Sequence, residues 1–68
     1  KMKIDVRGLS CPEPVLMVMD AMDEAPGEEL VILSDAAHTR DNLVKLAQTE
    51  GRKVSVKENG KNYEIVIS

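Results

Sequence analysis

At the start of the chain Met2, Ile4 and Val6 alternate with Lys3 and Asp5, the period-two pattern of a strand that buries one face. From Pro12 to about Glu24 the period changes. Val15, Met19 and Met22 recur at four and three residues, and Leu16, Val18 and Ala21 widen the stripe, which predicts an amphipathic helix. Ala25-Pro26-Gly27 stops it, as proline and glycine past a helix end do. Glu29 to Ser34 holds Leu30-Val31-Ile32-Leu33, a continuous apolar run that reads as an interior strand. Asp35 to Thr39 is a connector into a second helix, roughly Thr39 to Glu50. There Leu43, Leu46 and Ala47 share one face, Asp41 and Lys45 have ion-pair spacing, and Gly51 is a natural C-cap.

Arg52 to Lys57 alternates again around Val54 and Val56. Asn59-Gly60 then signals a tight hairpin into a last strand, Asn62 to Ile67, with Tyr63, Ile65 and Ile67 on one face. The order is β-α-β-α-β-β. Two helices cannot cover both faces of a four-stranded sheet in so few residues. The expected fold is therefore α+β, a two-layer sandwich with a mixed sheet and both helices on one face. Strands one and two should run parallel through a right-handed crossover. In the second strand one alternate pair, Leu30/Ile32 or Val31/Leu33, must then face away from the helices, and Val66 can join it.

Length and charge narrow the function classes. The chain of 68 residues is read as one domain, 1–68, which could also be a module of a longer protein. A domain of this size buries only about 60% of the surface its unfolded chain exposes. One cysteine excludes an internal disulfide, and one cysteine with one histidine makes no zinc site without carboxylates or a second chain; no metal or cofactor is expected. A free cysteine fits a reducing cytoplasm. No apolar run approaches the roughly 20 residues of a membrane span. Twelve acidic against nine basic residues, net −3, argue against direct nucleic-acid binding, and a single tyrosine offers no stacking platform.

The candidate chemistry lies in Arg7-Gly8-Leu9-Ser10-Cys11-Pro12-Glu13-Pro14, where the first strand gives way to the first helix. If Cys11 caps that helix, Pro12 occupies the first helical position and Pro14 the third. The sulfur can then draw on the Glu13 N–H and the helix dipole. The Glu13 carboxylate opposes a thiolate while Arg7 favours it, so the arrangement predicts a stiffly held, modestly activated thiol. No second cysteine is present to resolve a disulfide, and a Cys-His hydrolase would need His38 as base without an evident acyl pocket. What remains is a nucleophilic sulfur that takes up a group and gives it away. The competing reading is a buried cysteine that serves as a small hydrophobe.

The run Asp5-Val6-Arg7-Gly8-Leu9-Ser10-Cys11-Pro12-Glu13-Pro14-Val15 closely resembles the Cys-Pro-x-Pro signature of the TusA/SirA-like family of small sulfur carriers. The resemblance extends over essentially the whole chain. In its second half, from Asp35 through Asp41-Asn42-Leu43 to Gly51, the sequence is most similar to the N-terminal domain of YedF-type selenium-metabolism proteins. The resemblance implies that Cys11 accepts sulfane sulfur as a persulfide and relays it. The partners would be a donor protein, for example a cysteine desulfurase, and an acceptor protein, which makes the chain a sulfurtransferase of the carrier kind. It also implies that Arg7, Gly8, Pro12, Glu13 and Pro14 form the supporting motif, with Arg40 and Asp41 as a possible edge of the site.

The sequence departs from the tRNA-thiolation members. They carry Asp-Ile-Pro where Asp41-Asn42-Leu43 stands, and a basic stretch after the motif where this chain has Met17-Val18-Met19-Asp20. Two alternatives stay open: a non-catalytic interaction or regulatory module of the same fold, and a selenium carrier. Met17, Met19 and Met22 read mainly as core, and His38 as exposed.

Overall fold

The alternating start pairs with the continuous apolar run. In the computed structural model, which describes residues 1–68, β1 (Met2–Asp5) lies parallel to β2 (Leu30–Ser34), with Met2 opposite Leu30 and Ile4 opposite Ile32. The Asn59-Gly60 hairpin joins β3 (Val54–Asn59) to β4 (Asn62–Ile67), and β4 returns antiparallel beside β2. The sheet order is β1-β2-β4-β3, so the interior strand predicted from its apolar run does sit between two neighbours.

Rows across the sheet alternate in character. Leu30, Ile32, Ile65 and Ile67 point to one side and are fully buried. Lys3, Val31, Val66 and Ser55 form a row on the other side, followed by Asp5, Leu33, Glu64 and Lys57. On that side Val31, Leu33 and Val66 are only half-buried. Both helices cover the first side, because Val18 and Ala21 of α1 (Glu13–Glu24) join Leu43 and Ala47 of α2 (Ala37–Thr49) in the same core. Burying each large aliphatic there contributes about 1.5–3 kcal/mol.

Three expectations need correction. The second helix begins at Ala37, two residues before Thr39. The Ser34 hydroxyl accepts the Ala36 N–H (3.2 Å) and takes up the chain reversal that no capping side chain at Ala36 provides. Asp41 pairs with Arg40 through Nε–Oδ1 at 2.9 Å and not with Lys45. The buried stripe of α1 is Pro14, Val18 and Ala21, with Val15 and Met22 half-buried. Leu16 (52%), Met17 (40%) and Met19 (44%) stay exposed, so Met17 and Met19 are not core.

Candidate functional site

Parallel β1 and β2 send the chain out at the same end of the sheet, so both helices start there. The β3–β4 hairpin lies at that end as well, since Ser34 stands opposite Tyr63. The segment from Val6 to Glu13 is therefore one of three connections clustered at one end of the molecule.

Two turns hold this segment. Val6 is buried and its N–H donates to the Leu33 carbonyl at 2.9 Å, which extends the β1–β2 ladder by one bond. The Leu9 N–H then donates back to the Val6 carbonyl (3.3 Å), with Gly8 third in the turn at φ 76°. A positive φ at that position is the type II pattern and the reason for glycine. The second turn closes from the Glu13 N–H to the Ser10 carbonyl at 3.0 Å. Cys11 lies at its tip, a free and exposed thiol.

The geometry around Cys11 differs from the capping arrangement. Pro12, not Cys11, is the N-cap residue, Glu13 opens the helix, and Pro14 is its second residue, buried against the core. The Glu13 N–H is committed to Ser10, and the Leu16 N–H donates to the Pro12 carbonyl at 3.1 Å. With Pro14 lacking a donor, Val15 carries the one first-turn N–H without a backbone acceptor. The thiol thus stands one residue outside a helix end that has few donors to give.

Beneath the loop, charged groups fasten it. Asp5 accepts the Arg7 backbone N–H at 3.1 Å and the guanidinium through Nε at 3.0 Å and Nη2 at 2.8 Å. The Arg7 hydrogen bonds, side-chain first, hold the Asp5 carboxyl down to about 2 from an ordinary 3.8, and Asp5 in turn raises the Arg7 pKa. From the end of β2, Asp35 Oδ2 accepts the Gly8 N–H at 3.2 Å. Asp35 was not among the residues predicted from sequence. Its place just after the β2 run, at the carboxyl end of a strand parallel to β1, is the signal that could have found it.

Arg40 and Asp41 share this end of the molecule with Cys11. Arg40 lies over the Tyr63 ring, 4.7 Å from the centroid, and its half-buried side chain is held between β4 and Asp41. The Asp41 hydrogen bond is the main cause of its raised pKa. His38 is exposed. No three His, Cys, Asp or Glu side chains converge to hold a metal ion, and no helix is long and apolar enough to cross a membrane.

Residues 2–68 match the family described as sulfurtransferase TusA. The chain belongs to the TusA family. It is 36% identical over 67 residues to a candidate sulfur carrier protein of Methanocaldococcus jannaschii, covering 96% of this chain and 89% of that protein. The crystal structure of a SirA-like protein from Desulfitobacterium hafniense superimposes with a TM-score of 0.91 at 27% identity, covering 98% of this chain and 95% of that one. The expected TusA/SirA-like family is thereby borne out, as is the α+β fold of four strands and two helices.

Proposed function

We propose that this TusA-family protein is a sulfur carrier that loads and discharges at Cys11. Family membership and the carrier-like relative support the carrier role. The observation that carries the assignment to Cys11 is its position as the chain's one thiol, exposed at the tip of a turn fixed on both sides. In loading, the Cys11 thiolate attacks the outer sulfur of a donor persulfide. A new S–S bond forms at Cys11 Sγ while the donor's own S–S bond breaks, and the electron pair leaves with the donor thiolate. In discharge, an acceptor thiolate attacks the outer sulfur of the Cys11 persulfide and Cys11 departs as thiolate. Nothing is oxidised or reduced in net terms, so the cycle needs no redox cofactor. A donor such as a cysteine desulfurase and a thiol-bearing acceptor protein complete the relay. A reducing setting such as the cytoplasm would keep Cys11 free to react.

Arg7 and Gly8 act in this reading as scaffold, with Arg7 held by Asp5 and Gly8 tied to Asp35. Pro12, Glu13 and Pro14 stiffen the tip, and Arg40 with Asp41 forms the neighbouring edge. The test is incubation with a cysteine desulfurase and cysteine, followed by intact mass. Addition of one sulfur atom, removed by dithiothreitol and absent in Cys11→Ser, is expected. No adduct with several desulfurases, or an adduct that survives Cys11→Ser, would overturn the carrier role.

A further inference from the structure

The α1 face turned away from the core is not the polar surface that an amphipathic helix normally shows to water. Leu16, Met19, Asp20 and Asp23 follow one another at i, i+3, i+4 and i+7, which places them on a single stripe. Leu16 and Met19 are 52% and 44% exposed, large apolar side chains left half in solvent. Beside the stripe, Met19, Met22 and Asp23 face Leu46 of α2 and Glu50, its C-cap residue, across a shallow groove of about 60 Å³, room for part of one side chain. Charge on this helix has one sign: α1 carries Glu13, Asp20, Asp23 and Glu24 and no lysine or arginine. Across the groove Glu50 adds to the same sign.

We propose that this stripe and groove dock a basic amphipathic helix of a partner protein. Leucine or methionine side chains would sit on Leu16 and Met19, and lysine or arginine would face Asp20, Asp23 and Glu50. Apolar contacts at helical spacing call for an apolar ridge of the same spacing. The acidic side chains of α1, with Glu50 across the groove, favour a basic partner and repel an acidic one. Methionine suits such a site because its flexible thioether adapts to more than one shape. The stripe begins at Leu16, in the first turn of the helix that the Cys11 loop leads into, so a partner seated on it lies at the same end of α1 as that loop. This inference rests on the carrier reading only in assigning that partner to sulfur transfer; the docking itself does not require it.

The test uses the full chain, labelled with ¹⁵N, and two synthetic helix-forming peptides with the same leucine ridge, one framed by lysine and the other by glutamate. The lysine peptide should shift the amides of Leu16, Met19, Asp20, Asp23, Leu46 and Glu50. The glutamate peptide should bind at least about tenfold more weakly, and raised salt should weaken the lysine peptide. Asp20→Lys with Asp23→Lys, exposed positions that the fold tolerates, should weaken binding roughly fivefold to tenfold. Cys11→Ser should bind unchanged, which separates docking from sulfur chemistry. Absence of shifts on α1, equal binding of both peptides, or shifts confined to the open face of the sheet would overturn the proposal.

Discussion

Asp35 Oδ2 accepts the Gly8 N–H at 3.2 Å, so the end of β2 holds the loop that leads to Cys11 from 27 residues away. Asp35→Ala removes an acceptor that water can replace at this exposed site. The expected loss of global stability is therefore small, about 0.5–1 kcal/mol. Local order should suffer more. Amide hydrogen exchange at Gly8 should accelerate, while that of Ile32 in the central strand changes little. Equal exchange at Gly8 in the two proteins would show that the contact does not restrain the loop.

The fork between Arg7 and Asp5 gives a prediction with pH. The folded-state pKa of Asp5 lies near 2, below its ordinary 3.8, so any stability it contributes is present above about pH 4 and is lost as the pH falls toward 2. Arg7→Gln should return the Asp5 carboxyl toward 3.8 in a ¹³C titration and flatten that part of the stability profile. An unchanged midpoint would refute the pairing.

Gly8 stands at φ 76° with open space where a Cβ would project. Gly8→Ala is therefore opposed by backbone conformation and not by a clash, at a cost of about 1–2 kcal/mol. Gly8→Asn should cost less, since asparagine tolerates the left-handed region. Urea titration of the two variants distinguishes them, and equal midpoints would exclude the conformational account.

Leu43 is fully buried between the helices and the sheet. Leu43→Ala should cost about 2–5 kcal/mol. A core this small rarely supplies more than about 3–5 kcal/mol, so the variant should be largely unfolded at 25 °C by circular dichroism. Leu43→Met should lose under about 1.5 kcal/mol.

Much of the fold was legible because its signals are local. Period-two alternation in β1, the apolar run of β2 and Asn59-Gly60 each point to one structure, and β1 runs parallel to β2 while β3 and β4 form a hairpin, as expected. The α1 face was harder to read. Leu16, Met17, Val18 and Met19 are apolar nearly all round the helix, so periodicity alone could not choose which side is buried, and nothing in the pattern marks Pro14 as the core residue it is. The start of α2 was missed because Ala36-Ala37-His38 carries no capping side chain and the hydroxyl that serves the turn sits at Ser34. At the site, Cys11 and its prolines were visible as a motif, whereas the tie from Asp35 exists only once β1 and β2 lie side by side.

The donor-poor start of α1, with the Glu13 N–H committed to Ser10 and the Val15 N–H alone unpaired, has a consequence for the proposed relay. Strong helix-end donors would bind the terminal sulfur anion of a loaded protein and turn Cys11 into a trap. Here the chain has little means of favouring the loaded over the empty form. In the proposed relay the direction of sulfur flow is then set by the two partners, through the supply of charged donor and vacant acceptor, rather than by tight retention at Cys11.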